Sequence, residues 1–196
     1  MLLEKKSINI VDNFFNPWQF KLVLEEIKKL KYYDVENHPA HNATEIYPGS
    51  KTEPFTNVHP LLDSFIIKQV DSLNTSLTNY PYRAINFAHL RLKDSIEERQ
   101  SHRDTSGEWA YIIYMSKTNL QSGTKIFSDD TTDVKNTKEN LFVNFVENRI
   151  LLFDVSVPHM AWLNHGKNID DGRLTINGFC NYLWNILGIT TLINLI

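Results

Sequence analysis

The sequence predicts an α+β fold, mainly β, with helices at the N-terminal end and short strands after them that close into a barrel or sandwich. Three observations carry this. Apolar residues recur at helical spacing in two stretches of the first 75 or so residues. From Tyr82 onwards, short runs rich in aromatic and β-branched residues follow one another. The turns between those runs are rich in Asn, Asp, Ser and Gly. No shift in composition marks a boundary. Residues 1–196 therefore read as a single domain, with a helical part over about 12–75 and a barrel over about 82–182.

The elements follow in order. Ser7–Val11 reads as a short strand. Asn16-Pro17 opens a helix, because Asn caps and Pro suits the first helical position. Phe20, Val23, Leu24, Ile27 and Leu30 then keep helical spacing through Lys31. Asp34–Val58 holds His38, Pro39, His41, Pro48 and Pro54 among polar residues, and reads as a long loop with room for a strand. A second helix is expected from Pro60 to about Leu73. Strands are expected at Ala84–Lys93, Trp109–Ser116, Gly123–Phe127, Leu141–Val146, Arg149–Val155 and Arg173–Tyr182. The apolar run Leu183–Ile196 is short for a membrane span and contains Asn185 and Asn194, so it reads as a packed segment.

Composition excludes some functions. Hydrophobic residues make up 42% and charged residues 22%, the balance of a soluble globular chain. A net charge of −3 offers no electrostatic reason to bind nucleic acid. The single cysteine, Cys180, excludes an internal disulfide and fits a reducing cytoplasm. Lys5 and Lys6 fall where a signal peptide would need its apolar run, so no membrane partner is expected.

The chemistry concentrates in a few residues. His102-Arg103-Asp104 places an imidazole and a carboxylate two residues apart, and on extended chain both project to one side. His159, following the strand pattern Arg149–Asp154 and Pro158, is the best third ligand. Two histidines and a carboxylate on one face form the facial triad of non-haem iron(II) oxygenases. Arg173 begins an alternating run in which Arg173, Thr175, Asn177 and Phe179 share one face, while Leu174, Ile176 and Cys180 share the other. If the first face points into the barrel, Arg173 is a buried guanidinium that requires an anion. A carboxylate fits its fork.

Taken in order, these residues resemble the prolyl-4-hydroxylase-like branch of the iron(II)/2-oxoglutarate oxygenase superfamily, over nearly the whole chain. Ile10–Pro17 leading into a helix resembles the opening of many members. His102-Arg103-Asp104 matches the proximal His-X-Asp. Trp109–Ser116 resembles the strand that follows, and Ser122–Phe127 the Gly-rich turn and strand after it. Arg149–Phe153 with Pro158-His159 matches the approach to the distal histidine, and Gly172–Thr175 the basic residue that grips the far carboxylate of 2-oxoglutarate. The gap from His159 to Arg173 is wide for the family, and the polar turn Asn164–Asp171 absorbs it.

The resemblance implies a double-stranded β-helix with helices packed on one sheet. It implies Fe(II), 2-oxoglutarate as cosubstrate and O2, with release of succinate and CO2 and hydroxylation of a peptidyl residue or small metabolite. His102, Asp104 and His159 would hold the metal. Arg173, with Tyr114 sharing the carboxylate and Thr175 assisting, would bind 2-oxoglutarate. The tyrosine that many prolyl hydroxylases carry before the proximal histidine is replaced, with Leu92 at about its place. The metal-proximal carboxylate is then left to another residue, Asn86 or none.

Other residues read more simply. His165 lies in a polar turn and reads as a surface residue, not a rival ligand. His38 and His41 lack the neighbouring cysteines or carboxylates of a second metal site. His89 reads as packed or hydrogen-bonded, and Trp162 as core or pocket rim. Asp129, Asp130 and Asp133 read as a solvated acidic turn. Asp34–Val58 is the expected substrate lid. The competing hypothesis is a non-catalytic cupin-like barrel that binds a small ligand or partner protein. It would not require His102, Asp104, His159 and Arg173 to converge.

Overall fold

The computed structural model describes residues 7–39, 47–98, 101–127 and 139–183. His41, the three aspartates Asp129, Asp130 and Asp133, and nearly all of the apolar C-terminal run lie outside them.

The chain opens with strand β1 (Ile8–Val11) and helix α1 (Pro17–Lys29). Asn16 caps α1 as its sequence signals: its side chain accepts from the Gln19 backbone N–H, and the Gln19 side chain returns the bond to Asn16. The long loop contains a 3-10 turn (Val35–Asn37), a two-residue strand β2 (Ser50–Lys51) and a short helix α2 (Phe55–Val58). Helix α3 (Pro60–Asp71) follows, with the His59 ring accepting from the Leu62 N–H at its start. The strands are β3 (Tyr82–Arg91), β4 (Trp109–Tyr114), β5 (Asn119–Phe127), β6 (Glu139–Phe145), β7 (Ile150–Asp154), β8 (His159–Trp162) and β9 (Arg173–Tyr182).

They form two antiparallel sheets, one of six strands ordered β1-β7-β4-β9-β3-β2 and one of three ordered β6-β5-β8. The larger sheet buries one face under the helices, through Val23, Ile27, Ile66 and Val70 against Ile113, Leu152, Leu174 and Ile176. This apolar layer is the main source of stability. The other face meets the small sheet through Ala110, Tyr114, Leu151 and Phe153 against Ile126, Val143 and Phe145. Two facing sheets with helices on one outer side make the expected double-stranded β-helix.

The sequence-derived strands are all present, with ends that shift by a few residues. One was not expected. After β7 the Asp154 side chain accepts from the Ser156 N–H at 2.7 Å, and the Val157 N–H returns to the Asp154 carbonyl at 2.9 Å. This tight turn moves the chain from the large sheet to the small one, where β8 begins at His159.

Asn148, at φ 61°, turns the chain between β6 and β7 and ties the α1 entry to it. Its side chain accepts from the Phe15 N–H at 2.9 Å and donates to the Phe15 carbonyl at 2.7 Å. Among the described residues no helix is long and apolar enough to cross a membrane.

Candidate metal centre

A cavity of about 380 Å³ opens between the two sheets. His102 and His159 sit side by side on its wall, paired by reciprocal backbone bonds of 2.9 Å. Residues paired in this way project to the same side, and the two rings lie 4.5 Å apart, centre to centre. Asp104, two residues beyond His102, returns to that side. Its carboxylate oxygens lie 3.9 Å from His102 Nε2 and 3.7 Å from His159 Nε2. Arg103, between them, points away and donates to the Ser156 carbonyl, which pins the segment to the β7–β8 turn. One ligand atom from each of His102, Asp104 and His159 lies within 4.8 Å of the others, the spacing of a metal site.

The electrostatics suit a cation. His159 Nδ1 lies 3.0 Å from the Val157 carbonyl. It therefore carries the ring proton, leaving the Nε2 lone pair facing Asp104. Desolvation lowers the pKa of His159, and desolvation together with the neighbouring His159 lowers that of His102. Burial pushes the Asp104 carboxyl up to about 6. Two imidazoles and a poorly solvated carboxylate form a donor set that could hold a metal ion.

Arg173 lines the same cavity and is 3% exposed. The alternation in β9 is as expected, with Leu174, Ile176 and Cys180 buried in the helix-side core. The Arg173 Nη2 reaches the Gly123 carbonyl at 3.3 Å, while its Nε has no hydrogen-bond partner among the described residues. Burial, and next the nearby Arg91, lower its pKa to about 10. Tyr114 sits behind the wall: its hydroxyl donates to Thr124 Oγ1 at 2.8 Å, and Thr124 lines the cavity. Thr175, opposite Tyr114 in the sheet, turns its hydroxyl to Asn177 Oδ1 at 2.8 Å.

Two residues that sequence reasoning overlooked also line the cavity. Arg91, at the end of β3, is 7% exposed and ion-paired with Glu98 at 2.5 Å. Glu98 also accepts the Ala161 N–H at 2.8 Å, so both its oxygens are engaged. The strand phase explains the oversight. Phe87, His89 and Arg91 face the cavity, while Leu92 lies past the strand end, against Gly172.

Asn86, expected as a candidate for the metal-proximal carboxylate, faces the other way. It donates to Asp63 of α3 at 2.9 Å and accepts from the Tyr111 hydroxyl. Gly178 makes room for this arrangement: a Cβ there would fall 2.2 Å from the Tyr111 ring.

His89 is buried and hydrogen-bonded to the Pro48 carbonyl at 2.6 Å. His38 bonds to the Thr52 carbonyl at 3.1 Å. His165 is half-buried, edge-on to Phe145, and not at the surface as its turn implied. Trp162 lies under the Lys125 ammonium, 3.5 Å from the ring centre. From the expected lid, Tyr47, Pro48 and Lys51 border the cavity.

The sequence matches no protein-family model and no curated protein. Solved structures do resemble it. A prolyl hydroxylase from Trichoplax adhaerens, in complex with a hypoxia-inducible-factor peptide fragment, has a TM-score of 0.65 at 15% identity. That match covers 96% of this chain and 89% of that one. HygX from Streptomyces hygroscopicus, with nickel, 2-oxoglutarate and hygromycin B bound, has a TM-score of 0.63 at 12% identity, covering 88% and 82%. SnoN, a non-haem α-ketoglutarate-dependent epimerase of nogalamycin biosynthesis, has a TM-score of 0.66 at 10% identity, covering 88% and 76%. The chain has the double-stranded β-helix fold of the iron(II)- and 2-oxoglutarate-dependent oxygenases.

Proposed function

We propose that this protein is an iron(II)- and 2-oxoglutarate-dependent oxygenase that hydroxylates a peptidyl residue or a small metabolite. The observation that carries this reading is convergence: His102, Asp104 and His159 meet within ligand distance, with buried Arg173 in the same cavity. A cupin-like binding barrel would need no such meeting. The residues also fit the groups they would hold. The donor set is two imidazoles and one carboxylate, and the Arg173 Nε is a buried donor with no acceptor. Structures of similar fold bound to 2-oxoglutarate, such as HygX, support the same cosubstrate.

Bound together, iron(II), 2-oxoglutarate and O2 supply oxidative decarboxylation to succinate and CO2 and the transfer of one oxygen atom into a C–H bond. The chain's own residues provide the rest. His102, Asp104 and His159 would hold the metal at the cavity wall. The Val157 carbonyl holds the His159 tautomer. Arg173 takes the far carboxylate of the cosubstrate, backed by Thr124 and Tyr114 on one side and Thr175 on the other. Phe87, Phe153 and Phe179 line the cavity and exclude water. Tyr47, Pro48 and Lys51 form the rim over which substrate enters.

Structures of similar fold are bound to different kinds of molecule, a peptide fragment for the Trichoplax hydroxylase and hygromycin B for HygX. The substrate class here therefore stays as broad as peptide or small molecule. The reading is tested by succinate formation from 2-oxoglutarate in protein loaded with iron(II). Activity that depends on iron and disappears in His102→Ala, Asp104→Ala and His159→Ala supports it. Undiminished succinate formation in any folded one of these variants would sink the triad assignment.

A further inference from the structure

The cavity holds two buried guanidinium groups, one more than a single far carboxylate requires. The β3–β9 register sets Arg91 directly opposite Arg173, and both are buried. Like charges opposite each other in a sheet repel, and a poorly solvated interior strengthens the repulsion. Glu98 brings one negative charge against these two positive ones, and it engages one nitrogen of Arg91. Among the described residues, the Nε and Nη1 of Arg91 and the Nε of Arg173 all lack hydrogen-bond partners. Three buried guanidinium nitrogens without acceptors mark a wall built around an anion that supplies them.

The two heads diverge. Arg173 leans toward the Gly123 carbonyl and the Phe145 ring, on the small sheet. Arg91 leans toward Glu98. That carboxylate lies 3.9 Å from His102 Nδ1 and is bonded to Ala161, two residues along β8 from His159. Arg91 is thus the guanidinium on the metal side.

We propose that Arg91, oriented by Glu98, binds the metal-proximal carboxylate of the 2-oxo acid, at the place where the tyrosine expected from the family resemblance is missing. This rests on the oxygenase reading above. Arg91 and Arg173 then clamp the two ends of one dicarboxylate, and Glu98 is a positioning residue whose two oxygens hold Arg91 to β8.

The test is calorimetric binding to protein loaded with manganese(II), which removes turnover from the readout. Two probes are used: 2-oxoglutarate, and 2-oxobutanoate, which has the same keto-acid end and no far carboxylate. Arg91→Met/Glu98→Gln removes the pair without stranding a buried carboxylate. Arg91→Lys keeps the charge and loses the planar fork. Thermal melts confirm that each variant is folded.

The expected result is a loss of about tenfold or more for both probes in the double variant, with a smaller loss in Arg91→Lys. Arg173→Met is expected to weaken 2-oxoglutarate alone. If the Arg91 variants lose 2-oxoglutarate but keep 2-oxobutanoate, Arg91 grips the far carboxylate and the assignment is overturned. If they bind both probes like the wild type, the partner of Arg91 is another anion and the assignment is again overturned. If the wild-type protein binds neither probe, the oxygenase reading itself fails and this inference with it.

Discussion

The two faces of the six-stranded sheet are built from the same strands and follow opposite rules. On β9, Leu174, Ile176 and Cys180 enter the helix-side core. One residue out of phase, Arg173 and Asn177 line the cavity. On β3, Ala84 and Ala88 face the helices, whereas Phe87, His89 and Arg91 face the cavity. The helix side is mainly apolar, with the linked trio Tyr111, Asn86 and Asp63 set into it. The cavity side carries two buried arginines with nitrogens unpartnered among the described residues, and three titratable groups within 4.8 Å of one another. One face stabilises the fold, and the other carries charges that are costly without a ligand. Substitutions on the two faces should therefore affect different measurements.

The largest effect is expected at the triad. His102→Ala, Asp104→Ala or His159→Ala should remove metal-dependent succinate formation, a loss of at least about a hundredfold, while the thermal midpoint changes little. A variant that instead unfolded with its metal affinity intact would break the distinction between the faces.

Ile176→Ala, one face over, is expected to cost about 2–5 kcal/mol in urea unfolding, as for a fully buried apolar side chain. Its metal affinity should match the wild type at temperatures where it is folded. Loss of metal binding in the folded variant would show that the faces are coupled.

Arg173→Ala should weaken 2-oxoglutarate binding by about ten- to a hundredfold while leaving metal binding in place, as expected for a charge-assisted bidentate contact. An unaltered cosubstrate requirement would argue that the guanidinium serves another anion.

The smallest effect is expected at Asp63. Burial raises its pKa above 3.8, so the folded state favours the protonated form. Its ionisation is then neutral to stability below the unfolded value of about 3.8, and destabilising as pH rises through the raised folded value. Asp63→Asn keeps an acceptor for Asn86 without the charge. It should be more stable than wild type at pH 7 and no more stable near pH 3.5. A difference that does not vary with pH would contradict this.

Much of this was legible in the sequence, for identifiable reasons. The α1 start was readable because the signals of Asn16 as cap and Pro17 at the first helical position are local. The two faces of β9 were readable because Arg173 and Thr175 alternate with Leu174 and Ile176. The His102/Asp104 pair was readable because a spacing of two on extended chain fixes a common side.

What escaped was non-local. From Asn86 to His89 both faces of β3 are buried, so burial alone does not choose a face, and the phase that selects Arg91 over Leu92 is set by pairing with β9. Glu98 lies in a stretch with no periodicity and acquires its role only beside Arg91 and Ala161. Strand β8 is four residues long and gains its identity from crossing to the second sheet. The alternation of Phe87, His89 and Arg91 was the available signal for the overlooked arginine.

The most direct test of the account is an anomalous difference map from crystals grown with manganese(II) and 2-oxoglutarate. The account predicts one metal peak ligated by His102, Asp104 and His159, with 2-oxoglutarate in the cavity and its far carboxylate on Arg173. A metal peak elsewhere, or an occupied triad with Arg173 turned away from the cosubstrate, would contradict it.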